Sequence, residues 1–223
     1  MLVGMGIDPG LKHTGIAAVA QGADGGFESR GVRVVVTEPD KRRGLRVSVD
    51  DVRRYRAVSS EVTAALDVIQ PHVVGIETYS IFEPRDTARL RDLIAAVCAN
   101  PAEFPGHVTE LRRLAATANR SAVGLGQASK TLAVVGICLS ACWARNIPAF
   151  LFEPADRTRR LLGRRSASKE DVGRAITEIV SGLQEQIQTK ITQRTRHEHA
   201  WDATCHAILG IEQYTKLRLD QGI

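Results

Sequence analysis

The sequence predicts an α/β domain, a mixed β-sheet with helices packed on its faces. Three β-rich stretches open the chain, and helical and strand-like segments alternate after them. Two short apolar runs, residues 2–7 and 72–76, each lead straight into an acid, Asp8 and Glu77. Neither run is long enough for a typical helix, so both read as buried strands. At 223 residues the chain suits one domain with a large core, and it shows no repeat, low-complexity tract or linker.

Each element has its own signal. The first strand covers residues 2–8 and stops at Pro9-Gly10, a turn dipeptide. Strands at 14–20 and 31–37 follow, and "QGADGG" at 21–26 turns between them, giving an antiparallel meander. Ser48 is the expected N-cap of a helix with Asp50 and Asp51 in its first turn, running up to Pro71. "HVVGIE" forms the next strand. Residues 80–120 are polar and broken by "NPAEFPGH", which predicts two short helices around a loop. A long helix is expected at 121–145, where Gly124, Gly126, Ala128 and Gly136 permit close packing. "PAFLFE" is the fifth strand and a basic helical turn follows it. "SASKEDVGRAITEIVSGLQEQI" reads as one helix capped by Ser168, and the last helix begins near Glu198.

Charge is concentrated rather than large. The net charge is +5, yet residues 41–56 and 154–169 each carry +5, so the remainder is about −5. Two basic blocks on a compact domain suit a polyanion such as nucleic acid, or are simply solvated arginine-rich faces. Cys98, Cys138, Cys142 and Cys205 form no CxxC pair and no zinc spacing, and Cys138 and Cys142, four apart in an apolar helical stretch, suit buried reduced thiols. The sequence opens without a basic n-region, and its longest apolar stretch, 131–144, is too short to span a bilayer. A cytoplasmic protein without a membrane segment is expected.

The acids carry the chemistry. If the strands ending in Asp8 and Glu77 are parallel neighbours, both carboxylates emerge at one sheet edge, where open sheets place their ligand crevice. Asp202 lies in the first turns of the final helix, three residues after His199 and four after Glu198, so all three share a face. Carboxylates this close repel unless a cation lies between them. An oxygen-rich set suits Mg²⁺ or Mn²⁺, and two ions about 3.5–4 Å apart suit phosphodiester cleavage. Taken alone, Asp8 also fits a simple turn cap.

Four stretches, "GIDPGLKHTG", "GIET" after a buried strand, "GLGQAS" opening a long helix and "HAWDAT" near the end, resemble the RuvC-type Holliday junction resolvases. "SASKEDVGRAI" resembles that family's basic segment. The resemblance spans residues 3–210 apart from one insertion. It implies a ribonuclease-H-like fold (three antiparallel strands plus parallel strands, flanked by helices) in a homodimer that nicks four-way DNA junctions. By the same resemblance, Asp8, Glu77, Asp202 and His199 hold the metal, with two ions expected per site, and Lys169 faces the scissile phosphate. The resemblance also implies that Tyr79 and Phe82 stack at the junction centre, while Arg157, Arg159, Arg160, Arg164 and Arg165, from the basic block at 154–169, are expected to join Lys169 in contacting DNA.

Two departures stand out. Residues 79–120 are some thirty longer than the family's usual connection, and Thr78 replaces a glutamine. An actin-like ATPase shares the Asp8, Gly10 and Gly15 spacing but needs two such domains to enclose a nucleotide, and 223 residues have room for one. The same residues also suit a non-catalytic branched-DNA-binding protein or an RNA-processing nuclease of the same fold. His13, His72, His107 and His206 read as turn or core residues, and Trp143 and Trp201 as packing residues, with Trp201 beside the acids.

Overall fold

The computed structural model describes residues 1–40, 47–78 and 129–222. The chain divides into two units, Met1–Tyr79 with Thr131–Ile223, and Ser80–Lys130. The sheet and its helices belong to the first. Strands β1 (Leu2–Asp8), β2 (His13–Gln21) and β3 (Phe27–Val36) form the antiparallel meander. Helix α1 (Val47–Ile69) leads to β4 (Val73–Glu77), and α2, described over residues 129–143, leads to β5 (Ala149–Phe152). Helices α3 (Pro154–Leu162) and α4 (Lys169–Ile179), strand β6 (Val180–Ser181), helix α5 (Leu183–Lys190) and helix α6 (His197–Asp220) complete the unit.

The sheet order is β5-β4-β1-β2-β3-β6. β4 runs parallel to β1 and to β5, and β6 runs parallel to β3. Successive strand residues point to opposite faces, and that parity sorts the core into two layers. Met5, Ile7, Val74 and Ile76 pack with Val58, Val62 and Leu66 of α1 and with Val134, Cys138 and Cys142 of α2. On the other face Val73, Ala17 and Val19 meet Ala203, Ala207, Ile208 and Ile211 of α6 and Val172 and Ile176 of α4. Asp8 shares parity with Gly4 and Gly6, and Glu77 with Val73 and Gly75, so both acids belong to the α6 face.

That face is unusually close. A Cβ on Gly6 would lie 1.7 Å from the Ala203 carbonyl oxygen, and one on Gly15 would lie 2.0 Å from that of His199. Strand glycines thus let the backbone of α6 rest directly on the sheet.

Several local expectations are corrected. α1 begins at Val47, so Ser48 lies inside it rather than capping it. Its end is set by Gln70, which adopts a left-handed φ of 48° just before Pro71. β3 starts four residues earlier than expected, at Phe27. The run after Ser168 is two helices, not one: Gly182, with φ 73°, breaks it, and residues 180–181 pair with β3 as a sixth strand. The basic turn after β5 is a nine-residue helix. Trp143 is 67% exposed instead of packed. Cys138 and Cys142 are free and buried as expected, and Cys205 is free and buried too. Cys98, His107 and the elements expected at 79–120 lie outside the described residues, as do Tyr79, Phe82, Gly124, Gly126 and Ala128.

Candidate active site

The parallel register pairs Ile7 with Ile76, so Asp8 and Glu77 are the next residues along adjacent strands. Their carboxylates therefore leave the sheet side by side, at its carboxyl-terminal edge. Both are buried, Asp8 at 8% exposure and Glu77 at 2%. α6 brings its amino-terminal turns over this edge because Gly6 and Gly15 admit its backbone. His199 and Asp202, three residues apart, consequently face the two strand-end acids.

Two sets of contacts organise the cluster. His199 donates from Nδ1 to Asp8 Oδ2 at 2.6 Å, and its Nε2 stands 3.8 Å from Glu198 Oε1. Glu198 in turn pairs with Lys169 at the start of α4, where Ser168 accepts a hydrogen bond from the Asp171 backbone. On the other side, Arg157 Nη1 pairs with Asp202 Oδ2 and lies 3.6 Å from Glu77 Oε2. His206 Nε2 is 3.7 Å from the same Glu77 oxygen.

The electrostatics follow from burial and crowding. Burial, added to the charges of Asp8 and Glu77, outweighs Arg157 and pushes the Asp202 carboxyl up to about 7. Burial opposes a charged His199, but the hydrogen bond to Asp8 and the charges of Asp8, Glu198 and Asp202 raise it above its ordinary value. His206, fully buried, is driven down to about 4 by desolvation and stays neutral. His13 stacks obliquely on His199 with centroids 5.2 Å apart, and burial and the His199 charge lower it.

The donor set, three carboxylates and an imidazole, has the chemistry of a divalent-cation site. Negative charge is concentrated here, and burial beside Asp8 and Glu77 keeps the Asp202 carboxyl from ionising at its ordinary pH. Among the described residues, no three His, Cys, Asp or Glu are disposed to hold an ion as they stand. Arg157 occupies the space between two of the acids instead.

The remaining sequence-predicted contacts fall around this cluster. Arg159, Arg160 and Arg164 are exposed and pair with Asp156, Glu212 and Asp171. Arg165 is exposed, while Arg157 turns inward with its side chain at 14% exposure. Trp201 packs over Gly173, whose Cβ would meet its ring at 2.8 Å, and against the core, as expected of a packing residue. His206 is fully buried, as the core reading expects, and both it and His13 also lie against the acid cluster. His206 had a signal, since it lies seven residues after His199 and four after Asp202, on the same helical stripe. His13 lies at the first residue of β2, and only the pairing of β2 with β1 brings it to the site.

No family model and no curated protein matches the chain. Solved structures do. Thermus thermophilus RuvC in complex with a Holliday junction substrate is similar over 93% of this chain and 91% of its own, with a TM-score of 0.57 and 21% identity. Another structure of Thermus thermophilus RuvC gives 0.55 at 19% identity, over 92% and 91% of the two chains. The yeast mitochondrial Holliday junction resolvase Ydc2 gives 0.53 at 9% identity, over 91% of this chain and 76% of its own. At these identities the likeness shows the architecture, and the chain has the ribonuclease-H-like fold of the RuvC-type Holliday junction resolvases.

Proposed function

We propose that this chain is a divalent-cation-dependent, structure-selective DNA endonuclease that resolves four-way junctions by paired nicks across a homodimer. The observation that carries this reading is the meeting of Asp8, Glu77, Asp202 and His199 at the carboxyl-terminal edge of a ribonuclease-H-like sheet. RuvC, which shares the fold, is found with a Holliday junction as its substrate.

Asp8, Glu77 and Asp202 would hold Mg²⁺ or Mn²⁺, with His199 completing the set. Two ions per site is the expected number. Bound cations supply Lewis acidity at the scissile phosphate. The protein's own groups do the rest. His199 fixes the orientation of the Asp8 carboxylate through its Nδ1–H, and neutral His206 bears on Glu77 from beneath. Lys169 and the exposed Arg159, Arg160, Arg164 and Arg165 line the approach with positive charge for the DNA backbone. Water attacks phosphorus, the P–O3′ bond breaks, and the products carry 5′-phosphate and 3′-hydroxyl ends that a ligase can seal.

The test is cleavage of labelled four-way junction, fork, flap and linear duplex, with and without Mg²⁺. Paired, symmetric, ligatable nicks confined to the junction are expected. Junction binding without nicking at any metal concentration would overturn the enzymatic reading in favour of an architectural protein.

A further inference from the structure

We propose that Arg157 is a built-in occupant of the acid cluster, a resident cation that divalent metal must displace from Glu77 and Asp202. The inference rests on the metal-dependent reading above and concerns the chain's own residue at that site.

Its position comes first. Pro154 opens α3 directly after β5, the strand paired with β4, so the first turn of α3 starts beside the end of the strand carrying Glu77. Arg157 projects from that turn into the cluster, while Arg159 and Arg160, two and three residues later, turn outward to Asp156 and Glu212. Arg157 is the arginine of this block that reaches the catalytic acids.

Its bonding comes second. Arg160 grips Glu212 through Nε and Nη2, at 2.8 and 2.7 Å. Arg145 makes a two-pronged pair with Asp67 at 2.7 and 3.0 Å. Arg157 has no such fork. Its Nη1 contacts both acids, yet neither Nη1 nor Nε has a well-aligned hydrogen-bond partner, although both atoms are buried. The guanidinium is therefore held mainly by charge. Desolvation of the arginine opposes this pairing, and the charges of Asp202 and Glu77 outweigh it.

Its consequence comes third. The guanidinium stands between Glu77 and Asp202, and among the described residues no three His, Cys, Asp or Glu are disposed to hold an ion. A guanidinium and a divalent ion cannot share the same carboxylate oxygens, so the two compete. Without metal, Arg157 offsets repulsion among Asp8, Glu77 and Asp202. With metal, it is released at the rim of the cluster, where phosphate enters.

The experiment is isothermal titration of the full-length protein with Mn²⁺, comparing wild type, Arg157→Met and Asp8→Asn. Arg157→Met should bind Mn²⁺ about tenfold more tightly, equivalent to about 1.4 kcal/mol, and melt at a lower temperature than wild type without metal. Unchanged or weaker Mn²⁺ binding by a folded Arg157→Met overturns the proposal, while loss of binding in Asp8→Asn alone leaves the metal reading standing. If wild type and Arg157→Met both fail to bind Mn²⁺, the metal reading falls and takes this proposal with it. A second measurement needs no substitution. The Arg157 side-chain Nε–H resonance of the wild type should shift saturably as Mg²⁺ is added, and an unmoved resonance at saturation also overturns the proposal.

Discussion

Asp202 shows how a single residue's surroundings decide its chemistry. Its carboxyl moves from an ordinary 3.8 to about 7 because it is buried beside Asp8 and Glu77. The folded protein therefore binds a proton there that the unfolded chain has released, and stability falls as pH rises between those values. His199, also raised, acts with the same sign, its contribution being lost as pH rises through its folded value. Without metal, wild type should lose stability relative to Asp202→Asn between about pH 4 and 7, read from urea midpoints at several pH values. A constant difference across that range would contradict the assigned crowding. Asp8→Asn and Asp202→Asn should each abolish nicking while junction binding persists, because affinity for the phosphate backbone comes from the basic groups. Gel-shift and cleavage assays on one junction separate the two effects. At this scale the four ligand candidates were legible, since acids at strand ends and the i, i+3 pair on α6 are written directly in the sequence. The inward turn of Arg157 was not: a charge count treats six basic residues in one block alike, and only packing reveals which one faces the acids.

The position of α6 is the element-scale question, because two of the four candidate ligands ride on it. Gly15 admits the His199 carbonyl, and Gly75 admits that of His206, where an added Cβ would lie 1.9 Å from the oxygen. These contacts are backbone against backbone, so no side-chain rotation relieves them. Gly15→Ala should cost at least about 2–3 kcal/mol, the upper part of the range for overpacking, and push His199 away from Asp8. Calorimetric Tm and Mn²⁺ affinity should both fall. A variant with wild-type Tm and affinity would show that the close approach is not what places the helix. Strand and helix identities were readable from apolar runs, Pro71 and the Ser168 cap. The break at Gly182 was also present as a Ser-Gly dipeptide, but the surrounding apolar spacing suited a continuous helix. The two-residue β6 carries too little pattern to be read without its partner β3.

At the scale of the whole molecule, the sheet was legible in outline because strand-end acids require neighbouring parallel strands to be useful together. The order of strands and the two-faced core required the fold itself. The segment at about 79–120 stands apart: sequence marks it as an insertion, and the chain divides near it, with Ser80–Lys130 forming the second unit. It leaves the chain immediately after Glu77 and Thr78, so one end is tethered at the candidate active site. Residues 79–120 hold six basic and five acidic side chains, so the segment adds no strong electrostatic clamp. We propose that it selects among branched substrates while the acids perform the hydrolysis. Replacing 84–117 with a short Gly-Ser bridge should alter the ratio of four-way junction to fork cleavage. Metal dependence and the 5′-phosphate ends should be unchanged, because Asp8, Glu77, His199 and Asp202 all lie in the other unit. Circular dichroism and the Mn²⁺ titration establish that the shortened protein is folded with its site intact. A folded variant that ranks junction, fork and flap as the wild type does would assign the segment a role outside substrate choice.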